Sequence, residues 1–148
     1  MKQININLNS QTYMSHYFVP RFLKRQDRSA IINVSSINHY NPGAIMPIYS
    51  ATKSYNFSLS LAMHEAYKNQ IDVMAVTPGA VITQLNPGIG VMLISAERHA
   101  RETINHLGWQ TVTYGSFAHA IQPRLKSIAP IGYMMDELAR RRMAQFAA

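Results

Sequence analysis

An α/β fold with about three parallel strands and flanking helices follows from three features of the sequence. Two short runs, Ala30-Ile31-Ile32-Asn33-Val34 and Ile71-Asp72-Val73-Met74-Ala75-Val76, have the length and β-branched content of buried strands. Between them, residues 48–69 hold neither Gly nor Pro and place Tyr55, Leu59, Ala62, Met63 and Ala66 at the three-to-four spacing of a helix. Helix and strand then alternate along the chain, the order of parallel βαβ units joined by right-handed crossovers.

The elements follow in order. From about Leu8 to Arg25, Met14, Phe18 and Phe22 recur at fourfold spacing and predict a helix whose last turn Pro20 bends or loosens. The first strand ends at Ser35-Ser36, and a turn-rich loop containing Asn41-Pro42-Gly43 leads into the long helix. Thr77-Pro78-Gly79 stops the second strand. Residues 95–107 read as a helix capped by Ser95. A third strand is expected within residues 111–120, its register blurred by Gly115, and the final helix within residues 133–146. Trp109 and the nine methionines read as packing residues, with Met46, Met134 and Met135 as candidates to line an apolar pocket.

Composition removes several function classes. The 148 residues are 47% hydrophobic and 14% charged, a folded composition with no repeat, linker or low-complexity segment, so we expect one structural unit. The absence of cysteine excludes a disulfide scaffold, a thiolate nucleophile and a cysteine zinc site. The six histidines, at 16, 39, 64, 99, 106 and 119, lack the close spacing of a helical metal site, so no metal is expected; His99 and His106 are placed on one helix face as surface or interface residues. The net charge of +7 comes from scattered residues, with one dense run at Arg140-Arg141-Arg142, and does not predict nucleic-acid binding. Apolar stretches such as residues 89–96 fall well short of the ~20 residues of a membrane span, and the polar start is not a signal peptide.

Ligands bind in parallel α/β sheets at the carboxyl ends of the strands. The two loops there, residues 35–47 and 77–83, are where chemistry is sought. Tyr49 and Lys53 lie four apart at the start of the long helix, on one face. An ammonium beside a phenol favours the phenolate, as an acid that protonates a carbonyl oxygen requires. Ser36, thirteen residues before Tyr49, carries a hydroxyl able to donate to the same oxygen.

Taken together, Ile32-Asn33-Val34-Ser35-Ser36, Tyr49-Ser50-Ala51-Thr52-Lys53 and Pro78-Gly79-Ala80-Val81-Ile82-Thr83 resemble the short-chain dehydrogenase/reductase family. Residues 48–53, His64-Glu65 and Gly115-Ser116-Phe117-Ala118-His119-Ala120 resemble its 17β-hydroxysteroid dehydrogenase / very-long-chain 3-oxoacyl-CoA reductase branch. The resemblance implies that Tyr49 is the general acid/base, that Ser36 positions the carbonyl, and that Lys53 assists Tyr49 and holds the nicotinamide ribose. Asn7 would anchor a proton-relay water. Pro78, Gly79 and Val81 would pack on the nicotinamide and Thr83 bond its carboxamide, while His39 beside Ser36 would touch substrate. The cofactor would be NADP or NAD, and the substrate a hydrophobic ketone of 3-oxoacyl-CoA or steroid type.

The family's Gly-rich first turn has no counterpart among the seven glycines. The implied fold is therefore the C-terminal half of a Rossmann-like doubly wound sheet, a single partial domain over residues 1–148 that lacks the Gly-rich first βαβ half. Its first strand would have an unpaired edge. A partner is expected, as a second chain supplying the cofactor-binding half or as a homo-oligomer through the helices at 10–25 and 48–68, with Tyr17, Phe57 and Leu61 as contact candidates. Two functions stand: the catalytic half of a ketoreductase, or an inactive relative serving as a structural subunit. By resemblance the compartment is intracellular, associated with the endoplasmic reticulum membrane.

Overall fold

The computed structural model describes residues 1–40, 42 and 46–147, and in it the chain alternates helix and strand as expected. A helix opens as α1 (Lys2–Ile4), passes through a π-helical turn at Asn5–Asn9, and continues as α2 (Ser10–Phe22). Pro20 sits inside its last turn, and the helix stops two residues later. Strand β1 (Ser29–Val34) follows, then a 3₁₀ turn (Ile37–His39), then α3 (Pro47–Tyr67), which Pro47 opens at its first position. The turn expected at Asn41-Pro42-Gly43 lies largely outside the described residues. Next come β2 (Ile71–Val76), the two-residue strands β3 (Val81–Ile82) and β4 (Ile94–Ser95), and α4 (Ala96–Ile104), where Ser95 Oγ caps the Arg98 amide. The chain closes with β5 (Val112–Thr113), α5 (Phe117–Lys126) and α6 (Ala129–Ala147).

The main sheet is parallel in the order β1-β2-β5. Its register runs from Ser29 opposite Ile71 to Val34 opposite Val76. At the amino end Arg28 staples that register: Nη2 and Nε donate to the two Asp72 oxygens at 2.6 and 2.8 Å, and Nη2 also donates to the Lys68 carbonyl. This bidentate pair draws Asp72 below the usual carboxylate range. On one face, α2 and α3 cover Val19, Met63, Ile71 and Val73, with Phe22, Leu23, Ile31, Leu59 and Tyr67 around them.

Several expectations need correction. β1 is not buried on both faces: burial alternates along it, leaving Ala30, Ile32 and Val34 exposed. The residues that α3 buries are mostly small and polar, Ser50, Thr52, Asn56 and Ser60 with Met63; of the other apolar residues whose spacing predicted the helix, Tyr55 and Leu59 are half-buried and Ala62 and Ala66 face outward. Hydroxyls bend back to carbonyls of their own helix, as Ser60 Oγ does to Asn56. The third strand shrinks to two residues because Gly115 turns at φ +73° and the Ser116 side chain caps a helix, accepting from the His119 amide. The last helix starts earlier than expected, at Ala129, and the pair β3–β4 was not foreseen. α4 ends at Ile104, so His106 shares no helix face with His99 and instead bonds Thr113 Oγ1 at 2.7 Å. Trp109 is 89% exposed, not packed. Met63, Met74 and Met135 do fill the interior, but Met1, Met14, Met46 and Met134 are exposed.

The asymmetry of the sheet is testable. Ile71 is fully buried and Ile32 lies on the open face. Ile71→Ala is expected to lower unfolding stability by about 2–5 kcal/mol, Ile32→Ala by less than about 1 kcal/mol. Urea denaturation checks both, and equal losses would contradict the open face.

Candidate active site

The parallel register carries the loops after β1 and β2 to the same end of the sheet, and hydrogen bonds extend the pairing beyond the strands. The Ser35 amide donates to Val76 O at 2.8 Å, and the Ile37 amide to Pro78 O at 3.0 Å. Ser36 and Pro78 are thereby held in adjacent loops. α3 brings its first two turns to this end, where Ser35 Oγ donates to the Lys53 carbonyl at 2.7 Å.

Tyr49 and Lys53 meet as their spacing predicts, with Lys53 Nζ 5.7 Å from the Tyr49 ring centroid. That ammonium donates to the Val34 carbonyl at 2.9 Å, and burial pulls Lys53 below the usual lysine range. Among the described residues the Tyr49 hydroxyl makes no hydrogen bond. Ser36 Oγ accepts from the Asn38 amide at 3.3 Å and keeps its own hydrogen.

Asn7 lies in the π-helical turn, a distortion frequent at functional sites. Its Nδ2 donates to Thr52 Oγ1 at 3.1 Å, and that hydroxyl donates to the Tyr49 carbonyl at 2.8 Å. Asn7 is thus joined to the Tyr49 backbone through one side chain. His39 is held on three sides. Its Nδ1–H donates to the Ser36 carbonyl at 2.7 Å, its ring stacks on Phe57 at 3.9 Å, and its carbonyl accepts from Ser54 Oγ. Phe57, a contact candidate, is therefore engaged within the chain, while Tyr17 remains exposed and Leu61 half-buried.

Of the remaining candidates, Pro78 and Gly79 stand at the end of β2 and Val81 in β3, all half-buried. Thr83 is exposed, and its hydroxyl accepts from the Asn86 amide at 3.0 Å in a tight local turn. Gly88 and Gly90 lie between β3 and β4, not between a strand and the start of a helix, so they form no phosphate cradle of the Gly-rich type. No group of three or more metal-ligating side chains occurs among the described residues.

Behind the 78–81 loop is a polar layer that sequence reasoning missed. His119, fully buried on α5, directs Nε2 at the Ala80 carbonyl at 3.2 Å; Thr77, Thr113 and Gln122 are buried near the same end of the sheet. The His99 ring tilts against His119 with centroids 5.6 Å apart. Burial pushes both imidazoles below their usual range. The only trace in the sequence was the Gly115–Ala120 segment.

The short chain dehydrogenase profile matches residues 1–92. The very-long-chain 3-oxoacyl-CoA reductase of Rattus norvegicus is 34% identical over 134 residues, covering 87% of this chain and 42% of that protein. The human protein of the same description is 32% identical over the same shares. The chain spans less than half the length of these curated relatives. Among solved structures, a 7beta-hydroxysteroid dehydrogenase superposes with a TM-score of 0.72 at 23% identity, over 94% of this chain and 55% of that one. That likeness identifies the fold as the C-terminal half of a Rossmann-like sheet. No helix among the described residues is long and apolar enough to cross a membrane.

The half-buried Lys53 carries a pH signature. A lowered native value means that the unfolded chain binds the proton more tightly, so stability rises with pH as Lys53 loses its proton before an unfolded lysine would. Lys53 is expected to deprotonate at lower pH in the folded chain than in the urea-unfolded chain. NMR titration of the lysine Cε resonances measures this, and coincident midpoints would refute the desolvation.

Proposed function

We propose that this chain, which belongs to the short-chain dehydrogenase family, supplies the catalytic half of a nicotinamide-dependent ketoreductase acting on a hydrophobic ketone of 3-oxoacyl-CoA or steroid type. The reading is carried by one juxtaposition. Tyr49, with its hydroxyl unbonded among the described residues, has the Lys53 ammonium beside its ring on a helix tied by Ser35 to the loop bearing Ser36. The substrate class is supported by the relatives described as very-long-chain 3-oxoacyl-CoA reductases.

A reduced nicotinamide, when bound, supplies the hydride that the carbonyl carbon accepts. The chain's own residues manage the oxygen. Tyr49 donates its hydroxyl proton to it, so that the C=O bond becomes CH–OH and the cofactor is left oxidised. Ser36, whose oxygen already accepts from Asn38, has its hydrogen to offer the same substrate atom. The Lys53 ammonium stabilises the negative charge that Tyr49 retains. Asn7 holds the Tyr49 backbone in place through Thr52. The residues suited to the nicotinamide end are Lys53 and the Pro78-Gly79-Ala80-Val81 loop, with Thr83 beyond it.

Pyrophosphate binding requires a Gly-rich strand-turn-helix that these 148 residues do not contain. Turnover in this reading therefore depends on polypeptide that supplies it, and the free edge of β1, which pairs only with β2 among the described residues, is where the sheet continues.

Native mass spectrometry of gently purified material should find this chain joined stoichiometrically to a Gly-rich half. In that assembly Tyr49→Phe should lower ketone reduction by about 10²–10⁴-fold with cofactor binding retained. Unchanged turnover would remove Tyr49 from the chemistry. A chain without such a half would favour the inactive structural subunit.

A further inference from the structure

The Gly115–Ala120 segment has no part in the proton chemistry, yet it contributes the buried side chain that touches the nicotinamide loop. We infer that His119 is a positioning residue: its Nε2–H and ring clamp the Pro78–Val81 loop against the sheet in the place where a nicotinamide is to pack. The inference rests on the proposed function for that loop's role, but not for the clamp itself.

The hydrogen bond fixes the tautomer. A carbonyl oxygen only accepts, so the 3.2 Å contact with Ala80 O places a hydrogen on Nε2. The Ala80 carbonyl is a junction, since the Ile94 amide also donates to it, at 3.4 Å, beside the pairing of Val81 with Ile94. Two residues earlier, Pro78 O accepts the Ile37 amide next to Ser36. One imidazole thus steadies a loop whose other carbonyl holds the Ser36 turn.

Packing independently points the same way. A methyl group added at Gly79 would collide with Gln122 Oε1 and come within 2.7 Å of His119 Cδ2, so the loop backbone lies directly on these two side chains. The residue is held from its backbone and its ring is backed by a second one. Ser116 Oγ accepts its backbone amide at 3.3 Å, and His99 backs the ring. His99 is wedged in turn: Gly115, at φ +73°, has no room for a side chain against His99 and Thr103. A polar side chain with no exposed surface, held by a cap below and a second ring behind, is built to hold something still.

Hydrogen exchange followed by NMR on the full chain, with its Gly-rich partner where one is found, tests the clamp through the Ile37 and Ile94 amides. These are the two that report on the Pro78 and Ala80 carbonyls. His119→Met and His119→Gln both remove the ring, but only Gln keeps a donor at about the reach of Nε2. His119→Met should speed exchange of both amides by about 3–10-fold, the loss of one hydrogen bond, while amides inside β2 stay protected, and His119→Gln should restore most of the protection. Wild-type rates in His119→Met, or no difference between the two variants, would overturn the clamp. Should His119→Met fail to fold, Gly79→Ala, which pushes the loop off the ring, must speed the same two amides or the inference falls. In the assembled reductase, His119→Met should weaken nicotinamide binding by a similar factor and His119→Gln should recover it. Loosened amides with unchanged cofactor affinity would keep the clamp and refute the loop's assignment to the nicotinamide.

Discussion

The parallel pairing of β1 with β2 is the constraint on which the rest of the molecule depends. Six residue pairs in register, from Ser29–Ile71 to Val34–Val76, decide that Ser36 and Pro78 leave the sheet at the same level. A slip of one residue would turn Asn33 outward and Ile32 inward and would move Ser36 away from the second loop. The register is held from both ends. Arg28 grips both Asp72 oxygens and the Lys68 carbonyl at the amino end, and the amides of Ser35 and Ile37 continue the ladder at the carboxyl end. The Arg28–Asp72 pair is partly solvated, so its worth lies more in geometry than in net energy.

The same sheet is covered along one face, while on the other it is covered over β2, where Met74 and Val76 are buried, and left open at β1. α2 and α3 bury Ile71 and Val73, whereas Ile32 and Val34 remain in contact with solvent on the other face and the outer edge of β1 has no neighbour among the described residues. Parallel sheets are ordinarily covered on both faces, because crossover helices pack there. Among the described residues, a strand open at its edge and on one face presents unpaired backbone and apolar side chains to solvent. The loops at the carboxyl end are held differently. Ser36, Tyr49, Lys53 and the 78–81 loop are all supported from elements present in the chain.

The sequence revealed the groups whose chemistry demands a particular residue at a particular spacing. Tyr49 and Lys53 are legible because four residues make one helical turn, and Ser36 because it ends a β-branched run. The second strand and the Ser95 cap were legible for similarly local reasons. What stayed hidden depends on partners far apart in the chain. Nothing in Ile32-Asn33-Val34 says whether a helix covers its outer face. The third strand was overestimated because Val112 and Tyr114 have strand propensity, but Gly115 and the Ser116 cap turn the backbone into α5. The His119 layer joins residues from the loop after β2, α4 and α5, a meeting that no local pattern encodes.

The polar stripe of α3 shows why the site can be this compact. An apolar stripe of Leu or Phe at Ser50, Thr52, Asn56 and Ser60 would stand the helix further from the first helix and from β1. Small side chains let it approach, and their hydroxyls are then put to use. Thr52 relays the Asn7 contact to the Tyr49 backbone, and Ser54 joins the helix to the His39 carbonyl. The apolar contacts of the helix lie instead at Met63, which packs with Val19, Ile71 and Val73. The first turns of α3 are consequently a polar, closely seated platform and its later turns an apolar anchor. That division sets the Lys53 ammonium within hydrogen-bonding distance of the Val34 carbonyl and leaves Tyr49 beside it.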